Sequence, residues 1–187
     1  SKAFLLLTIA LSVCMIFSII LISAGAQEEF KNTQSSKAQI AILGITDDQL
    51  SSLRQNKDVQ WIGEYAAIGL FYSGNKTITV AYGSEDYFTH QEEMSLQGSV
   101  PQKANEIMLP QNYIDFLGES YRPGDTITFD VTGTGDEAEY TLSGILNEDR
   151  KSEGYFVYLS KDLAMSLMDH LLVTAYTRLN TDAIRSD

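Results

Sequence analysis

The sequence predicts an α+β fold entered through one membrane helix, and three observations carry that expectation. The first 26 residues hold a single charge, Lys2, just before an unbroken run of uncharged, mostly apolar residues. Beyond them, short segments that alternate with period two outnumber segments with helical caps and helical spacing. Turn residues punctuate both kinds at short intervals, and there is no internal repeat or low-complexity tract.

From Ala3 to Ala26 the run AFLLLTIALSVCMIFSIILISAGA has 24 residues and no charge. As a helix it reaches about 36 Å, enough for a hydrocarbon core of about 30 Å. Its hydroxyl residues, Thr8, Ser12, Ser18 and Ser23, can each bond a carbonyl of their own helix. The expected organisation is a transmembrane helix at 1–26, a polar stalk or linker at 27–39 and an extracytoplasmic domain at 40–187. Ala24-Gly25-Ala26 before Gln27 also reads as a cleavage site, although the run is about twice the length of a signal-peptide core. A retained helix is expected, and in either case residues from 27 onward face the outside of a membrane.

The chain of 187 residues carries 13 Lys and Arg against 25 Asp and Glu, a net charge of −12. Lys2 is the one charge among the first 26 residues, so the 161 residues after Ala26 keep 12 basic and 25 acidic side chains, a net of −13. Such a balance argues against nucleic acid as a partner, because phosphate binding needs clustered positive charge. The single cysteine, Cys14, excludes an intramolecular disulfide and a thiolate zinc site, and its place inside the apolar run argues against lipid attachment.

Residues Ile40 to Ile45 form an apolar run of strand length. Thr46 with Gln49 three residues on is a capping box, and Leu50 and Leu53 give the helix behind it an apolar face. Val59 to Tyr72 is strand-like, Ser73-Gly74-Asn75-Lys76 is a turn, and Thr77 to Tyr82 alternates, which predicts a hairpin. Glu85 to Met94 reads as a short helix or an irregular segment. Ile107 to Leu109 is a strand stopped by Pro110, followed by a helix from Gln111 to Leu117 closed by Gly118. Arg122-Pro123-Gly124-Asp125 turns into a strand at Thr126 to Val131, and Gly133-Thr134-Gly135-Asp136 turns into another at Glu139 to Leu146. Tyr155 to Leu159 is a strand, Ser160 caps a helix to about Asp169, Leu172 to Leu179 is a strand and Thr181 begins a further cap.

No catalytic, cofactor-binding or metal-binding set is expected. The chain lacks Gly-x-Ser-x-Gly and a phosphate loop. His90 has no second histidine at helical spacing and reads as a solvated surface residue, while His170 reads as a helix-end cation. Asp125, Asp130 and Asp136 beside glycine turns read as turn formers, since their spacing is not that of an EF-hand. Asn75-Lys76-Thr77 matches a glycosylation sequon but sits in the hairpin turn. Tyr65, Phe71, Tyr72, Tyr82, Tyr87 and Phe88 crowd into a short stretch, with Tyr155, Phe156 and Tyr158 later. Core packing is the default for them, and an exposed half would make a partner-binding surface.

The order of short motifs is more specific than any one of them. Gly98-Ser99-Val100-Pro101, Asn105-Glu106-Ile107-Met108-Leu109-Pro110, Phe116-Leu117-Gly118, Pro123-Gly124-Asp125-Thr126-Ile127 and Tyr140-Thr141-Leu142-Ser143-Gly144-Ile145 follow one another behind a first membrane helix and stalk. This succession resembles the extracytoplasmic core domain of MacB/FtsX-type ABC transporter permeases. The resemblance implies a fragment of a permease subunit at the cell membrane, with further membrane helices beyond this chain and a cytoplasmic ABC ATPase as partner or fused domain, the site of ATP. It implies a permease dimer, a peptide or lipoprotein cargo or a cell-wall partner, and no catalysis in this chain. It also implies a two-lobed outer domain, with 40–58 and 170–187 in one lobe and 59–169 in the other. The alternative is a signal-anchored extracellular binding or sensor module without transport. The acidic outer part would attract cationic peptides at long range, and plain solubility explains the same charge.

Overall fold

The computed structural model describes residues 37–73, 75–91, 94–148 and 154–180. The predicted membrane helix, the stalk up to residue 36 and the cap at Thr181 lie outside the described residues, within which no helix is long and apolar enough to cross a membrane.

Local chemistry sets the short elements. Strand β1 (Ile40–Leu43) leads to Thr46, whose hydroxyl accepts from the Gln49 N–H while the Gln49 side chain accepts from the Thr46 N–H, and helix α1 (Asp47–Gln55) follows. Strands β2 (Val59–Ser73) and β3 (Lys76–Gly83) form the predicted hairpin, with Ser73 opposite Lys76. Ser84 caps α2 (Glu85–Thr89), and strand β4 (Met94–Gly98) comes next. Strand β5 (Glu106–Pro110) runs directly into α3 (Gln111–Leu117), because Pro110 ends the ladder yet suits a helix start. Gly118 closes α3 in the left-handed conformation, as expected. Strands β6 (Thr126–Phe129), β7 (Ala138–Glu148) and β8 (Gly154–Leu159), helix α4 (Lys161–Leu167) capped by Ser160, and strand β9 (Thr174–Leu179) complete the described part.

The strands join in one mixed sheet, in the order β1-β9-β2-β3-β8-β5-β7-β4, with β6 added to β7. Strand pairs β3–β8 and β5–β7 are parallel and the others antiparallel. Ile40 lies opposite Thr177 and Leu43 opposite Thr174, so the first and last described strands are partners at one edge. Gly98 of β4 sits against Gly144 of β7, where an added Cβ on Gly144 would lie 2.5 Å from the Ser99 carbonyl oxygen. Glycine at position 144 therefore permits a close backbone approach.

Period-two alternation divides the core between two faces. Ile78, Val80 and Tyr82 of β3 point to the face covered by α1, α3 and α4, while Ala81 points to the face covered by α2. On β8, Val157 and Leu159 take the first face and Tyr158 the second; β5 divides likewise, with Met108 on the α2 side. Ile78, Ile107, Leu109, Leu142 and Leu159 are fully buried, each contributing about 1.5–3 kcal/mol from burial.

Several boundaries differ from the sequence expectation. The segment after Ser84 is a helix only to Thr89, and Met94 to Gly98, of which only Met94 fell in the stretch read as helical or irregular and the rest carried no expected element, becomes β4 because β7 is there to pair with it. Strand β6 stops at Phe129, since Asp130 turns back to bond its own loop. Helix α4 ends at Leu167 rather than Asp169, with Met168 already extended.

Candidate functional site

Glu64 shares the parity of Ile62 and Ala66 on β2, so its side chain enters the space between α1 and α4. Arg54, in the last turn of α1, donates to Oε1, and the Lys161 ammonium at the start of α4 donates to Oε2 at 3.0 Å. The Glu64 side chain is 3% exposed, whereas Arg54 and Lys161 are 56% and 35% exposed. A carboxylate buried this deeply needs compensation, and two cations reaching in from solvent supply it. Burial, then the charge of the same carboxylate, push the Tyr82 phenol above its usual range. The Lys161 ammonium also lies 5.9 Å from the Tyr82 ring centroid.

The cleft around this clamp encloses about 690 Å³ where β3 runs into α2. Ser84 joins its wall to the clamp: the Glu64 N–H donates to Ser84 Oγ at 2.8 Å, and the Ser84 N–H returns to the Glu64 carbonyl. Glu85, Asp86 and Asp162 stand among the lining residues. Chemically the cluster holds elements together. Both Glu64 oxygens are occupied by cations and Ser84 Oγ by the N–H groups of Glu64 and Tyr87.

The two histidines and the glycine-turn aspartates singled out in the sequence do not gather in one site. His90 is half-buried rather than a solvated surface residue, its ring stacked on Trp61 with centroids 4.1 Å apart and planes 8° apart. Its Nδ1 lies 2.8 Å from the Asp86 carbonyl, and its own carbonyl accepts from Lys37, the first described residue. His170 is exposed and stands three residues past α4, so it does not close that helix. Asp125 accepts from the Arg122 N–H across its turn. Asp130 accepts from the N–H groups of Thr132, Gly133 and Gly135 and from the Thr132 hydroxyl, and Asp136 from the Thr134 hydroxyl. Burial alone would raise the Asp130 carboxyl, but the Thr132 hydroxyl and these N–H groups outweigh it and hold the group below the usual carboxylate range. Among the described residues no three His, Cys, Asp or Glu side chains converge to hold a metal ion.

Glu64 and its two cations were missed by sequence reasoning. The available signal was one carboxylate in the core parity of a long apolar strand, between Ile62 and Ala66.

A second concavity, of about 500 Å³, lies at the far end of the β2–β3 hairpin. Phe71, Tyr72, Tyr113, Tyr121 and Phe129 line it, with Glu119, Asp130 and Glu137 among them. The predicted aromatic crowding thus divides: Tyr82, Tyr87, Phe88 and Tyr158 are core, while Tyr72 is 74% exposed. Tyr113 is the hinge of the second group, 4.8 Å from the Tyr155 centroid and 6.2 Å from that of Phe116.

Known proteins share this architecture. The extracellular domain of the noncanonic ABC-type transporter YknZ from Gram-positive bacteria matches with a TM-score of 0.51 and 15% identity, over 76% of this chain and 77% of that one. A domain of a protein named as a permease from Porphyromonas gingivalis matches with a TM-score of 0.51 and 15% identity, over 70% of this chain and 66% of that one. At such identities the likeness is one of fold. In sequence, a protein of Staphylococcus haemolyticus (strain JCSC1435) named as the hemin transport system permease protein HrtB is 28% identical over 128 residues. That match takes in 66% of this chain and 33% of the relative, so the chain spans a third of that relative's length. The family description MacB-like periplasmic core domain matches residues 3–187, almost the whole chain. With the mixed sheet, the pairing of the first and last described strands and this match in agreement, the chain belongs to the family of MacB-like periplasmic core domains, as found in ABC transporter permeases.

Proposed function

We propose that this chain is the first membrane helix and outer domain of an ABC transporter permease, and that the domain relays ATP-driven movement of the membrane part to a cargo or partner outside. One observation carries the reading: β1 and β9 pair at one sheet edge, and the sheet continues unbroken from them to β4. Chain entering through β1 and chain leaving through β9 are therefore about one strand spacing apart. A shift of the membrane helices joined to them would move the sheet as a body rather than pull it apart. On this reading a cytoplasmic ABC ATPase, fused or separate, binds ATP, the permease works as a dimer, residues from about 27 onward are extracytoplasmic, and this chain catalyses nothing. The relative's name makes hemin the first cargo to test.

The test begins with affinity purification of the full-length parent from membranes. Co-purification of an ATPase, or ATP turnover by the parent itself, is expected. Absence of ATP hydrolysis in both forms would remove the permease reading in favour of an anchored module without transport. The relay is tested separately with Ile42→Pro, at the residue opposite Ala175, which removes a donor from the β1–β9 ladder. ATP hydrolysis should persist while cargo export is lost; undiminished export would show that the ladder is not the route.

A further inference from the structure

We propose that the groove at the end of the β2–β3 hairpin docks a basic polypeptide segment, seating a Lys or Arg side chain on the aromatic floor between Glu119 and Glu137. The floor is assembled from separate parts of the chain: Phe71 and Tyr72 from β2, Tyr113 from α3, Tyr121 from the following loop and Phe129 from β6. Aromatic faces present negative potential to a cation. Among the described residues every charged one lining the groove is a carboxylate, with no Lys, Arg or His. Asp130 is occupied by its own loop, which it holds in shape. Glu119 and Glu137 are exposed, and neither carboxylate ion-pairs with another described residue.

The walls suit the rest of a peptide. Tyr72 and Leu117 are 74% and 42% exposed, and Phe116, 47% exposed beside Tyr113, extends the apolar surface. The loop side is kept close by Gly133, at φ +71, where an added Cβ would lie 2.6 Å from the Phe71 ring. A groove whose floor and loop are already packed loses little order on binding. The net charge of the chain, −12, would steer a basic partner toward it at low ionic strength. A planar anion such as hemin would place its propionates against Glu119 and Glu137, so charge selects the basic occupant.

The proposal rests on the reading of this domain as the part that meets an outside partner, but its test needs neither ATPase nor transport. The whole chain, held in micelles of an uncharged detergent, is titrated against a labelled short peptide of alternating Lys and Phe. An alternating Glu–Phe peptide and hemin serve as competitors. Saturable binding of the Lys–Phe peptide alone is expected. Glu119→Lys with Glu137→Lys should weaken it about tenfold, and Tyr72→Ser about fivefold. The same reversal at Asp58 and Asp169, which do not line the groove, should change it less than about twofold at moderate salt. Equal weakening by both reversals would reduce the effect to net charge and overturn the site. Tighter binding of hemin or the Glu–Phe peptide, or no peptide binding, would overturn the occupant. Self-association of the chain abolished by Tyr72→Ser would overturn it as well, in favour of a second copy.

Discussion

The Glu64 clamp makes a prediction that depends on burial rather than on the number of ion pairs. The Lys161 contact at 3.0 Å gives about 5–6 kcal/mol of attraction at an effective dielectric constant of about 20. Desolvation of the carboxylate offsets several kcal/mol of this, and solvent at both cations, 56% and 35% exposed, screens more. Arg54→Met or Lys161→Met alone leaves the carboxylate one partner, so each should cost about 1–2 kcal/mol. Removing both leaves Glu64 buried and uncompensated, which should cost about 4–5 kcal/mol, more than the two single losses together. Adding Glu64→Leu to the double variant replaces the clamp with apolar packing against Ala66 and Ile62 and should restore most of that loss. Trp61, the only tryptophan of the chain and buried against His90, reports unfolding by fluorescence in a urea titration. Strict additivity of the two cation deletions, or a triple variant no more stable than the double, would refute the reasoning.

Three other outcomes follow from local structure. Thr46→Ala removes the acceptor that caps α1 and half of a capping box, and should cost about 1 kcal/mol in the same titration. Gly144→Ala would set its Cβ 2.5 Å from the Ser99 carbonyl oxygen, forcing β4 away from β7, with an expected loss of about 1–3 kcal/mol and faster amide exchange in β4. Stability should fall on acidification through two carboxylates held below their usual range: Glu106, chiefly by the Gln102 N–H, and Asp130, where the Thr132 hydroxyl and loop N–H groups overcome burial. Because the unfolded chain binds protons first there, the stabilisation is complete above about pH 5 and is lost as pH drops through the folded values. Glu106→Gln with Asp130→Asn should flatten the pH dependence of the urea midpoint below about pH 5, and an unchanged slope would contradict the assignment.

Features decided within a few residues are legible in the sequence. The Thr46–Gln49 box, the Ser73 to Lys76 turn, the Pro110 and Gly118 brackets around α3 and the Ser160 cap all stand where the local chemistry puts them. Each rests on bonds between residues at most a few positions apart. The permease resemblance is also carried by sequence, because its motifs are mostly such local devices repeated in a set order.

What sequence by itself determined, then, is most of the element types and of their ends, the acidic balance and the family. Only the tertiary structure decided which strands neighbour one another, above all the parallel pairs β3–β8 and β5–β7, and the existence of β4, which is a strand because β7 offers it a ladder. Long-range pairing also made Glu64 a clamp, since Lys161 reaches it from 97 positions away, and gathered the groove from β2, α3 and β6. The physical reason is that a carboxylate or an aromatic ring has the same local preferences in solvent, in a core or on a groove floor. What separates these fates is the burial and the partners that distant segments bring, and those are settled only when the whole sheet closes.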